Sequence, residues 1–318
     1  MNRVSRVLAG VDFSKAARDA FDYALALSGR YGAELVVVHA VPPGQPFSRH
    51  ARARMVLMER LRQKATEARV EFRERVQSGP TAEIILLHAR SLRPDFIVMG
   101  TNQRTGLERF RVGSVAERVA TKATVPVLLV PEHRATAATQ PFRHVAVAVD
   151  FSTASDRALE QALPLATGPS DRITLIHVVH GFSSAVRPYL HEYGVIPYQD
   201  ERIRDARRRL RSIAASVGRT PRQPIDTRVL PGDMATEMNR VIDTIGADVL
   251  IVGVPKRGAV SRAVFGTTAA RLLRTVRVPL MVVPDTQKVV TRQRAESATR
   301  LAAGTRTVAS AACSLEAA

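Results

Sequence analysis

The sequence holds one cysteine, Cys313, no tryptophan, and aromatic residues at only 5%. A lone thiol excludes an internal disulfide framework and any cysteine-based metal cluster, and no metal site is expected. So few rings also exclude a broad stacking platform for nucleic-acid bases. Long apolar runs are missing as well. Stretches such as Leu35–Val41 and Val278–Val283 fall far short of the roughly 20 residues a membrane span needs. Met1-Asn2-Arg3-Val4-Ser5-Arg6 leads straight into a strand-like segment without a signal-peptide pattern, so a soluble, cytoplasmic protein is expected. There is no G-x4-G-K-[S/T], no G-x-S-x-G and no H-E-x-x-H. Their absence argues against a P-loop ATPase, a serine hydrolase of the nucleophile-elbow type and a zinc peptidase.

Positive charge is abundant: 47 Lys and Arg against 29 Asp and Glu, a formal net charge of +18. It is spread along the chain. Residues 1–131 carry 21 basic and 12 acidic side chains, and residues 144–287 carry 19 and 14. Diffuse charge aids solubility and attracts polyanions without specificity. No helix-turn-helix, RNA-binding or zinc signature accompanies it, so specific nucleic-acid binding is not expected. The arginine-rich segment 201–211 reads as a solvated helix, because Ile203, Ala206, Leu210, Ile213 and Val217 form one apolar stripe.

The chain repeats itself. Arg6-Val7-Leu8-Ala9-Gly10-Val11-Asp12-Phe13-Ser14 returns 138 residues later as His144-Val145-Ala146-Val147-Ala148-Val149-Asp150-Phe151-Ser152, and the strand ending at His39 returns ending at His177. Beyond that the offset is 153. Asp95–Gly100 matches Asp248–Gly253, Gly113-Ser114 matches Gly266-Thr267, and Val125–Pro131 matches Val278–Pro284. The second copy therefore carries 15 extra residues between His177 and Gly232. Ordered matches of this kind mark a tandem duplication. The expected domains are residues 1–131 and 143–287, joined by a linker at 132–142. A tail of little apolar periodicity, expected to be disordered, follows at 288–318.

Within each copy, apolar runs alternate with helical periodicity. The first copy predicts a strand to Asp12, then a helix with Ser14 as N-cap and Gly29 and Gly32 flanking its stop. Strand 35–40, helix 48–68, edge strand 70–77, helix 80–92, strand 95–99, a helix from Gly113 and strand 126–130 follow. Five strands and four helices per copy predict a doubly wound α/β fold with helices on both faces of a parallel sheet. The proline-flanked fifth strands, Val127–Val130 and Leu280–Val283, would otherwise be exposed apolar edges, so they are expected to pack together.

In such sheets ligands collect beyond the carboxyl ends of the strands. Asp12 and Asp150 end the first strands, and Gly100 and Gly253 end the fourth. Each aspartate can accept bonds from an amine or a ribose hydroxyl, or can brace the following helix together with its serine; position alone does not decide. The loop from Gly100 to Gly113-Ser114 carries Arg104, and its repeat carries Lys256 before Gly266-Thr267. A glycine and a hydroxyl residue opening a helix suit phosphate. His39 and His177 read as buried, hydrogen-bonded rings, and no general base faces a nucleophile.

Val-Asp-Phe-Ser after strand one, the histidine ending strand two, Met99-Gly100-Thr101 through Thr105-Gly106-Leu107-Glu108-Arg109 to Gly113-Ser114-Val115, and Val125–Pro131 resemble the universal stress protein family. The resemblance covers residues 3–131 and 143–284. It implies a 3-2-1-4-5 strand order, pairing through the fifth strands as an internal pseudo-dimer or in a homodimer, and a regulatory role with an unnamed protein partner. It also implies adenine-nucleotide binding, of ATP with Mg²⁺ or of AMP, at Val11, Asp12, Phe13, Met99, Gly100, Gly113, Ser114 and Val115, and at Asp150, Gly253, Gly266 and Thr267. Arg104 and Lys256 would lie on the phosphate side. Catalysis beyond a slow ATP hydrolysis is not expected. The family's pattern G-x2-G-x9-G-[S/T] is broken at its second glycine by Gln103 and by Lys256. Two readings therefore stand: a nucleotide-binding regulator, and an interaction module that keeps the fold without binding ATP.

Overall fold

The computed structural model describes residues 4–44, 51–101, 113–132, 141–166, 168–181, 195–217, 225–255 and 267–285. The first copy runs β1 (Arg6–Gly10), α1 (Lys15–Tyr31), β2 (Glu34–Val41), α2 (Ala51–Glu67), β3 (Phe72–Ser78), α3 (Thr81–Leu92), β4 (Phe96–Thr101), α4 (Ser114–Lys122) and β5 (Val127–Pro131). The second runs β6 (His144–Ala148), α5 (Thr153–Ala162), β7 (Arg172–Val179), α6 (Val195–Val217), β8 (Ile225–Pro231), α7 (Met234–Ile245), β9 (Val249–Val254), α8 (Thr267–Thr275) and β10 (Leu280–Pro284).

Among the described residues these strands form one sheet in the order β3-β2-β1-β4-β5-β10-β9-β6-β7-β8. Each copy contributes a parallel 3-2-1-4-5 half. The halves join through β5 and β10, which pair antiparallel with Leu129 opposite Leu280, Leu128 opposite Met281 and Val127 opposite Val282. That pairing satisfies two apolar edges at once and continues both layers of the core across the joint. Val7, Ala9, Leu128, Val130, Met281 and Val283 belong to the core on one face; Leu8, Val127, Leu129, Leu280 and Val282 belong to the other. The alternation is the two-residue period of strands covered on both sides. All eight residues of β2 are buried, whereas the outer strands β3 and β8 are half-exposed.

Local chemistry sets the helix ends. The Ser14 hydroxyl accepts from the Ala17 amide at 3.2 Å, and Gly32 closes α1 at φ 62°. Gly29 lies inside the last turn of α1 and does not flank its stop. Strand β3 starts at Phe72, later than residue 70, because Arg69 turns to φ 55° and Val70 is buried while its amide still bonds to Ala65. The apolar stripe of α6 is realised: Ile203, Ala206 and Leu210 are buried.

The copies are also bolted together away from the sheet. Arg30 at the end of α1 donates to the Pro141 carbonyl at 2.6 Å and pairs with Asp171, while the Tyr31 hydroxyl donates to the Leu165 carbonyl at 2.7 Å. Phe142, at the end of the expected linker, is fully buried with its ring 6.1 Å from that of Tyr23. Residues 133–140 of the linker and the tail with Cys313 lie outside the described residues. Among the described residues no helix is long and apolar enough to cross a membrane.

Candidate ligand site at the strand ends

Strand β1 leaves the sheet over one face through α1, and its neighbour β4 leaves over the other through α4. Gly10 stands opposite Met99, so Val11, Asp12 and Phe13 emerge beside Gly100. In the second copy Ala148 stands opposite Val252, which brings Val149, Asp150 and Phe151 beside Gly253. Both faces supply walls. Val11 and Phe13 join one core layer, and Met99 and Val115 the other.

The turn after the first strand is the same in both copies. Asp12 and Asp150 are exposed, and Oδ1 of each accepts from the amide two residues on, Ser14 at 2.9 Å and Ser152 at 3.0 Å. The serine, not the aspartate, then caps the helix. Burial pushes the Asp150 carboxyl up, but bonds from the Ser152 hydroxyl and amide outweigh it, leaving the group below the usual carboxylate range. Between aspartate and serine, Phe13 and Phe151 adopt φ 61° and 63°. A bulky residue in the left-handed region costs on the order of 1–3 kcal/mol and persists only where its surroundings enforce it.

The enforcement comes from the two histidines. The Nδ1–H of His39 donates to the Val11 carbonyl at 2.9 Å, and that of His177 to the Val149 carbonyl at 2.6 Å. Their rings lie 4.7 Å from Phe13 and 4.5 Å from Phe151. Burial is the main cause that lowers both imidazole pKa values below the ordinary range, so the rings are neutral props near pH 7.

The glycines separate into two kinds. A Cβ on Gly100 would meet the Ala16 carbonyl oxygen at 2.3 Å, and one on Gly253 the Ala154 oxygen at 2.0 Å. Both glycines are therefore required by the first turn of the helix crossing them, whatever the ligand. Gly113 has φ −56°, and no described atom lies within 4 Å of a Cβ placed there. It opens α4, whose first turn has no side-chain cap, with Ser114 exposed beside it. Amides without a side-chain cap at a helix start suit a phosphate.

Gln103, Arg104, Lys256 and Gly266 lie outside the described residues, and Thr267 begins α8. A separate open groove of about 690 Å³ lies between α1 and residues 141–143 and 168–171, lined by Leu25, Arg30 and Asp171 among others; none of the strand-end residues lines it. Sequence reasoning missed Phe151, although its repeat of Phe13 was visible, and Arg209, whose guanidinium lies 4.0 Å above the Phe151 ring.

A family model described as the universal stress protein family matches residues 3–131 and 141–284. A universal stress protein of Thermus aquaticus is 35% identical over 132 residues, which is 39% of this chain and 96% of the relative. One of Methanocaldococcus jannaschii is 41% identical over 73 residues, 23% of this chain and 43% of the relative, so less than half of that protein's length is spanned. Among solved structures, a universal stress protein from Archaeoglobus fulgidus aligns with a TM-score of 0.69 at 20% identity, covering 90% of this chain and 100% of that one. A similar protein from Pseudomonas aeruginosa aligns at 0.57 and 15%, covering 88% and 93%.

Proposed function

The chain belongs to the universal stress protein family, and from that premise we propose that it is a stress-response regulator. In this reading it binds an adenine nucleotide, ATP with Mg²⁺ carried on its phosphates or AMP, at the carboxyl ends of β1 and β4. Occupancy would alter the surface offered to a protein partner in the cytoplasm. The proposed domains are residues 1–131 and 143–287.

One observation carries the reading. The strained Asp-Phe-Ser turn is built twice, with Phe13 and Phe151 both in the left-handed region and an exposed aspartate in front of each. Such strain clusters where a backbone must present groups to a ligand. Asp12 would accept from the base or the ribose through its outer oxygen. The amides and hydroxyl of Gly113-Ser114 would donate to phosphate, with Arg104 supplying charge. Val11, Met99 and Val115 would form the apolar walls.

A second reading is favoured by the glycines. Gly100 and Gly253 are required by packing alone, so their presence does not argue for a ligand, and Gln103 and Lys256 replace the pattern's second glycine. In that reading the chain is an interaction module without nucleotide. Heat release from freshly purified protein separates the two. An adenine spectrum at 260 nm in the supernatant is expected, and nucleotide-free protein that also fails to take up added ATP overturns the first reading.

A further inference from the structure

The extra residues of the second copy lie between β7 and β8, in the segment that holds α6. Its described residues are Val195–Val217. Its buried stripe, Ile203 and Ala206, packs with Val179 and against Phe151 at the carboxyl end of the sheet. Arg202 and Arg209, seven residues or two turns apart, flank that stripe. Arg202 donates to the His180 carbonyl at 3.2 Å, just past the end of β7. The Arg209 guanidinium lies 4.0 Å from the Phe151 ring centroid, and the same ring packs at a tilt against His177, 4.5 Å away. Both cations reach the His177 ring electrostatically, and they oppose its protonation. Most other arginines of α6, such as Arg204, Arg208 and Arg211, are exposed on the solvated side. In the first copy, the described cation of α2 that acts on His39 is Arg54.

We propose that Arg209, seconded by Arg202, is the specificity residue of the second crevice and makes it select phosphorylated over uncharged ligands. This rests on the nucleotide reading of the strand ends. The Phe151 ring holds the guanidinium in place, and a pre-positioned charge loses less freedom on meeting an anion than a mobile surface side chain does. A planar guanidinium can also take two phosphate oxygens at once.

The test is titration with ATP, adenosine and inorganic tripolyphosphate, in an Asp12→Ala background that weakens the first crevice. Arg209→Ala should lower ATP affinity about tenfold and leave adenosine within twofold, with Arg209→Lys in between. Arg211→Ala removes the same charge from the solvated side and should change nothing. Arg209 is exposed, so these variants keep the fold. Equal losses for ATP and adenosine, no loss at all, or an equal effect of Arg211→Ala overturns the proposal. If neither ATP nor adenosine binds, the adenine reading fails by itself. Tripolyphosphate binding that is lost with Arg209→Ala would then still support the charge-selecting site, and tripolyphosphate binding that is absent or unchanged would overturn it.

Discussion

Single residues divide into those kept by packing and those left open. Gly100 is the first kind: a methyl group there would overlap the backbone of Ala16, which cannot swing aside. Gly100→Ala should cost about 3 kcal/mol, the upper range for overpacking, read as a lower urea midpoint. Gly113→Ala, with its ordinary φ and no described atom within 4 Å of the added Cβ, should cost less than about 1 kcal/mol and act on ligand affinity instead. Equal destabilisation by the two would refute the distinction. Asp248 is a different case. Its Oδ2 accepts from the amides of Arg143 at 2.7 Å and His144 at 3.2 Å, while Oδ1 is buried without a hydrogen-bond partner among the described residues. Burial pushes its pKa from 3.8 up to about 6. The folded state therefore holds the proton more tightly than the unfolded chain does. Stability tied to this group is present at pH 4 and is lost as pH rises through 6. Asp248→Asn cannot titrate, so its stability relative to wild type should improve between pH 4 and pH 7, by about 3 kcal/mol at most. Denaturation curves that run parallel across that range would contradict this.

Elements carry the site by their ends. Helix α1 starts at the Asp12-Phe13-Ser14 turn and finishes at Arg30 and Tyr31, which grip the second copy. It thus links the first crevice to the contacts that hold the copies together away from the sheet. The loop between β4 and α4 holds one of the two departures from the family pattern, Gln103. If the Gln103 side chain alone blocks a ribose-phosphate, Gln103→Gly should raise ATP affinity about tenfold, the equivalent of about 1.4 kcal/mol. Unchanged affinity in a normally folded variant would place the block elsewhere. Much at this scale was legible in the sequence. Apolar runs that repeat at fixed offsets gave the strands, their order followed from the family pattern, and Ser14 announced its own cap. The rest depends on neighbours remote in sequence. Nothing local says that Phe13 turns to positive φ, because His39 props it from the next strand. Nor does the charge run 201–211 reveal that Arg209 stacks on a ring 58 positions away. Phe142 looked like the end of a linker, and its burial follows from the ring of Tyr23 waiting on α1.

The whole molecule is two copies on one sheet, joined by the apolar pairing of β5 with β10. Because that pairing is antiparallel, the carboxyl ends of the two halves point in opposite directions, and the two candidate crevices do not share a mouth. They differ in detail, with the first closer to the family's loop and the second carrying Arg209 over the Phe151 ring. Calorimetric titration with ATP and Mg²⁺ of wild type, Asp12→Ala and Asp150→Ala tests the central claim directly. The account predicts saturable binding in wild type that Asp12→Ala weakens more than Asp150→Ala does. Binding that neither substitution alters, or no binding in wild type, would contradict it.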